Sequence, residues 1–212
     1  MRPSGAAASL RRLRAAPLIV PDRFALWALL PEDDESCDGE LLQTLPSTPL
    51  ARLLLPASGP SAAAPVFASG ASVWRTNELC VDDGFFALSV LPRARGAESP
   101  RAESRARGEG APAAAIATRL LLANALVNVW DFYVEPKHAC ELHEHLLPYV
   151  FINRSSGVTR NLDAQLRETG ESAFAAGHAR FVDVDPSVER CIHAFRNAGT
   201  QPLEQYVVEF KA

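Results

Sequence analysis

Residues 129–157, VWDFYVEPKHACELHEHLLPYVFINRSSG, decide how this chain is read. Trp130, Phe132 and Val134 alternate along a run rich in β-formers, which is the period-two pattern of a strand. Glu135-Pro136 ends that run, and a second apolar run follows at 146–152. Between them stands His143-Glu144-His145. In a strand, residues i and i+2 share a face, so the two imidazoles project side by side. Such a pair is half of a metal site, because a divalent ion needs several lone pairs converging from about 2 Å. The chain's five histidines (His138, His143, His145, His178, His193) all lie between 138 and 193, so a third ligand is sought nearby.

Downstream, HAFRNAGTQPLEQYVVEF (193–210) puts three residues between His193 and Asn197, and Tyr206, Val208 and Phe210 alternate again. Strand-like runs also occur at 179–184, and Gly157, Gly170, Gly177 and Gly199 punctuate the region at the spacing of a sandwich or barrel. Together these motifs resemble the cupin superfamily. Its first motif carries a turn glycine, then HxH, then a Glu three or four residues on, and a later Gly. Its second motif ends in His, three residues, Asn. The resemblance implies an all-β, cupin-type double-stranded β-helix (jelly-roll) barrel over residues 116–212. It also implies His143, His145 and His193 as ligands of one divalent metal (Fe, Mn, Ni or Zn, which the ligand set does not distinguish), a small-molecule ligand or substrate, and a homodimer.

The sequence departs from the pattern at three places. Lys137 stands where the turn glycine is expected, which predicts a different backbone geometry for that turn. The Glu position falls on Tyr149 or Val150, and strand parity favours Tyr149 as the inward residue if the strand is unbroken. The segment from Gly177 to His193, containing Pro186, is longer than the family's. Tyr149 reads either as a catalytic acid/base or weak ligand, or as a core tyrosine with its hydroxyl satisfied. Cys191 shares the parity of His193 but reads mostly as a small hydrophobe. His138 and His178 fall on turns and Asn197 reads as structural. Two functions stay open: a metal-dependent, dioxygenase-like enzyme acting on a small organic acid or thiol, and a non-catalytic cupin module that binds a small molecule or mediates assembly.

Outward from this core the sequence carries less. Residues 93–115, RARGAESPRAESRARGEGAPAAA, lack aromatic and β-branched residues and read as a low-complexity linker. Residues 18–92 form an N-terminal region without histidine, read as a degenerate β extension: Phe24–Leu30 is a short apolar segment, 32–40 an acidic loop, 57–65 a loop, and Asp83-Gly84 a hairpin signal. The leucine-rich 41–55 is broken by Pro46 and Pro49 and allows only a short helix. Residues 1–17 are a basic tail or an organellar transit peptide, which leaves a cytoplasmic or organellar location open and argues against secretion. With 212 residues, 21 Lys+Arg against 25 Asp+Glu and a net charge of −4, the chain lacks the basic surplus of a nucleic-acid binder. It also has no apolar run of about 18 residues to span a bilayer. Four cysteines without a CxxC pair predict reduced thiols.

Overall fold

The computed structural model describes residues 13–19, 24–31, 51–57, 65–69, 85–91, 115–185 and 188–211. The acidic loop, the 58–64 stretch, the Asp83-Gly84 turn, residues 93–114 and the first twelve residues lie outside the described residues. Among the described residues every regular element is a strand, and no helix is long and apolar enough to cross a membrane.

The N-terminal strands are β1 (Leu13–Ile19), β2 (Phe24–Pro31), β3 (Ala51–Pro56), β4 (Val66–Ser69) and β5 (Phe85–Val90). They form one antiparallel sheet in the order β1-β2-β5-β3-β4. The helix allowed around 41–55 gives way to strand β3. Leu53, Leu54 and Leu55 are all buried there, and burial on a pleated surface overrides the helix preference of leucine.

The remaining strands are β6 (Arg119–Ala123), β7 (Val127–Val134), β8 (His143–His145), β9 (Tyr149–Asn153), β10 (Gly157–Leu162), β11 (Glu168–Phe174), β12 (Ala179–Val182), β13 (Cys191–Asn197) and β14 (Leu203–Phe210). They make two sheets, β11-β10-β13-β8 and β12-β9-β14-β7-β6. From β7 onward the chain crosses repeatedly between the two, which is the winding of a double-stranded β-helix. The barrel interior holds Phe132, Val134, Tyr149, Leu203 and Val207, with Trp130, Phe151, Val182, Cys191 and Phe195 against them.

The five-stranded barrel sheet is buried on both faces. Its outer face presents Val127, Val129, Val150, Ile152, Tyr206, Val208 and Phe210, which pack against Phe24, Leu53, Leu55, Phe86, Leu88 and Val90 of the N-terminal sheet. Phe24 stacks on Phe210 at 4.8 Å between centroids and meets Phe181 edge-on at 5.2 Å. The two apolar stripes of the sequence therefore face opposite ways: Trp130, Phe132 and Val134 line the barrel, while Tyr206, Val208 and Phe210 contact the N-terminal sheet. Also on the outer face, Asp131 and Arg154 are buried as an ion pair at 3.9 Å. Arg119 lies 3.2 Å from Asp131, and the Arg154 guanidinium sits 5.0 Å from the Tyr206 ring centroid.

The turn before β8 corrects one expectation. Lys137 has φ of +67°, the left-handed conformation that a glycine would supply, so the geometry is kept although the residue is not. The cost of about 1–2 kcal/mol is offset by two anchors: the Lys137 amide donates to the Asn197 carbonyl at 2.9 Å, and Nζ donates to the Ala198 carbonyl at 2.7 Å.

Candidate metal centre

Strands β8 and β13 pair antiparallel with His193 opposite His143 and Cys191 opposite His145. The register puts all three histidines on the inner face, and one nitrogen of each lies within 4.8 Å of the others. His143 and His145 are 2% exposed, and His193 is half-buried. Ring centroids are 4.9 Å apart for His143 and His145, 4.7 Å for His143 and His193, and 5.1 Å for His145 and His193.

The donor set suits a divalent ion. His143 Nδ1 lies 2.8 Å from the Glu141 carbonyl oxygen. As a donor there it fixes the tautomer and turns the Nε2 lone pair free, the arrangement usual for a ligating imidazole. His145 Nδ1 is buried with no hydrogen-bond partner among the described residues, an orphan that a neutral core would not leave without cost. Burial pushes all three imidazoles below their ordinary range, His145 to about 2 and His193 to about 4; repulsion from neighbouring rings adds to it at His145 and His193, while the bond to the Glu141 carbonyl partly offsets it at His143. The cluster is thus uncharged at neutral pH, the form in which imidazole binds metal.

Tyr149 also reaches the site. It is 5% exposed, and its ring stacks on His145 at 3.8 Å between centroids and 13° between planes. The parity argument was not the reason. The run breaks after His145, β9 belongs to the opposite sheet, and Tyr149 meets His145 across the barrel. Val150 points the other way, into the layer shared with the N-terminal sheet. Burial raises the Tyr149 hydroxyl well above the ordinary phenol range. Cys191 touches both the Tyr149 hydroxyl and His193, with Sγ 3.9 Å from Nδ1, and its thiol is pushed up by burial. His138 and His178 are exposed turn residues. Asn197 is 1% exposed and bonded throughout: Nδ2 donates to the carbonyls of Val134 and Gln201, and Oδ1 accepts from the Gly199 amide, each at 2.9 Å. It ties the ends of β7 and β13 together.

The lengthened segment before His193 has a place in this geometry. Residues 182–185 and 188–193 wall a cavity of about 450 Å³ that opens on His193 and Cys191. A second cavity, of about 560 Å³, reaches His143 between residues 115–118 and 132–141. Glu144, pointing away from the inner face, is held by Arg190 in a bidentate pair at 2.7 Å. The inward carboxylate that sequence reasoning missed is Glu209, 5% exposed, whose place beside Tyr149 follows from the pairing of β14 with β9. Its signal was the Gln205, Val207, Glu209 parity, hidden behind the stronger stripe of Tyr206, Val208 and Phe210.

No family model matches the sequence, and no curated protein matches it. Among solved structures, a cupin domain from Bordetella pertussis Tohama I is 18% identical, covering 44% of this chain and 91% of that one, with a TM-score of 0.39. An RmlC-like cupin with a double-stranded β-helix from Methanocaldococcus jannaschii is 14% identical, covering 43% and 76%, with a TM-score of 0.34. AerE from Microcystis aeruginosa is 9% identical and covers 95% of this chain and 99% of that one, with a TM-score of 0.43. With a chain that winds between two facing antiparallel sheets and an HxH pair in register with a later histidine, the C-terminal half has the fold of a cupin-type double-stranded β-helix.

Proposed function

We propose that His143, His145 and His193 hold one divalent metal and that the site is that of a dioxygenase-like enzyme acting on a small organic acid or thiol. The observation that carries this reading is the convergence of three uncharged imidazoles, one with an orphaned buried nitrogen, on the inner face of the barrel. A divalent ion in that position would supply Lewis acidity undiminished by a carboxylate ligand and open coordination positions for substrate. The protein's own contributions are distinct. The Glu141 carbonyl orients His143, the β8–β13 register sets the spacing of His143 and His193, and the Tyr149 ring fixes His145 in place. The Tyr149 hydroxyl, kept protonated by burial, is the candidate proton donor to substrate.

Elemental analysis of the untagged protein tests the reading. One equivalent of a transition metal is expected, falling to background in His143→Ala combined with His193→Ala. Oxygen uptake dependent on added Fe(II) is expected as well. No bound metal in the wild type, or unchanged occupancy in the double variant, overturns the proposal. A small molecule held without metal would favour a non-catalytic binding module.

A further inference from the structure

Two of the three histidines sit on a very short element. β8 has three residues, lies at the edge of its sheet and has β13 as its ladder neighbour. The ladder sets His143 opposite His193, Glu144 opposite Ile192 and His145 opposite Cys191. Its two ends are fastened differently. Before β8, residues 137–140 are laced to the end of β13: the Lys137 amide donates to the Asn197 carbonyl, the Asn197 amide to the His138 carbonyl and the Cys140 amide to the Phe195 carbonyl, each at 2.9 Å. The Glu141 carbonyl then holds the His143 ring. After His145 the chain leaves for β9 in the opposite sheet, and His145 Nδ1 has no hydrogen-bond partner among the described residues.

A side-chain clamp closes this open end. Arg190 lies one residue before β13, next to Cys191, the residue opposite His145. Its Nε donates to Glu144 Oε1 and its Nη2 to Glu144 Oε2, both at 2.7 Å. The Glu144 side chain is 16% exposed and that of Arg190 is 51% exposed. An ion pair this open to water adds little to global stability, but two parallel bonds from a planar guanidinium fix both distance and orientation. Glu144 stands between the two histidines of β8, and Arg190 leads into the strand that carries His193. The fork therefore ties the strand with two ligands to the strand with the third, at the end where the His145 ring lacks a bond of its own. Arg190 also belongs to the wall of the cavity that opens on His193.

We propose that Glu144 and Arg190 are positioning residues of the metal site: neither is a ligand, and together they hold His145 and His193 at the separation a shared ion requires. This deepens the reading above and rests on it for the presence of the ion. Ligands set in place before the ion arrives bind it more tightly, and groups that orient them from outside are worth about ten- to a hundredfold in affinity.

The test is a Co(II) titration of the full chain, first stripped of metal by a chelator and followed through the visible absorption bands of the bound ion, which report ligand geometry. Arg190→Met and Glu144→Gln are each expected to bind Co(II) about tenfold more weakly than wild type, with shifted bands. Because each acts through the other, the double variant is expected to bind no more weakly than the weaker single variant. Arg190→Lys, which keeps the charge but not the fork, is expected to behave like Arg190→Met. The thermal midpoint of the stripped protein is expected to stay within about 3 °C of wild type throughout. Unchanged affinity and bands in both single variants, losses that add in the double variant, or full retention by Arg190→Lys overturns the proposal. So does a weakening matched by a midpoint that falls beyond that range, since the pair would then be merely structural. A wild type that takes up no Co(II) overturns the metal reading and this inference with it, whereas equal uptake by wild type and variants overturns this inference alone.

Discussion

Replacing Phe24 by alanine tests how firmly the N-terminal sheet is fastened to the barrel. The Phe24 side chain is 0% exposed and sits between Phe210 of β14 and Phe181 of β12, so it touches two barrel strands from the other sheet. A buried phenylalanine removes about 150–250 Å² from water, roughly 4–6 kcal/mol at 25 cal/mol per Å². Truncation to alanine retains the Cβ but leaves a cavity between two rigid sheets, for an expected loss of about 3–5 kcal/mol. For a chain of this size, 1 kcal/mol moves the midpoint by about 2–4 °C, so thermal unfolding is expected roughly 6–20 °C lower. Val188→Ala, at a residue 82% exposed, is the control and is expected to change stability by less than about 0.5 kcal/mol. The measurement is thermal unfolding followed by circular dichroism. A main transition that stays within about 2 °C of wild type, or a new minor transition beside an unmoved one, would show that the barrel does not depend on this contact and would refute the reasoning.

Other outcomes follow from single residues. Asn197→Ala strands two carbonyls and one amide, and is expected to cost about 2–4 kcal/mol, read as a lower urea midpoint with unchanged slope. Tyr149→Phe keeps the stack on His145 and should change stability by less than about 1.5 kcal/mol and leave metal content unaltered, while oxygen uptake falls by about 10²–10⁴; uptake at the wild-type rate would remove the hydroxyl from the mechanism. Cys140, whose thiol burial pushes up to about 11, should carry only about one part in a thousand thiolate at pH 8. Iodoacetamide should therefore leave it unmodified in the folded protein and label it on denaturation, and rapid native labelling would contradict its burial.

The histidine cluster was readable because its signal is local. An HxH pair on one strand and a histidine separated by three residues from an asparagine on another carry their chemistry in side-chain type, and the barrel needs only to bring two short strands into register. Tyr149 was found through a strand that does not exist, since β8 and β9 belong to different sheets. Lys137 shows the converse: the residue pointed away from a left-handed turn, but backbone and side-chain bonds to Asn197 and Ala198 hold it there. Glu209 and the N-terminal strands were harder for one shared reason. Alternation marks the buried face only when a sheet has a solvent side, and β14 has none. Its two stripes are both interior, so neither the inward face nor the presence of a covering sheet could be taken from period alone.

That doubly covered strand also governs the order in which the molecule can be assembled. β14 lies between β9 and β7 and is the last of the described strands, so the central sheet has a gap until residues 203–210 have been synthesised. Until then the apolar face formed by Phe24, Leu53, Leu55, Phe86, Leu88 and Val90 has no complete surface to close upon. The N-terminal sheet, made first, must wait for the last strand, and during that wait its exposed face is the natural target for a chaperone or for another nascent copy.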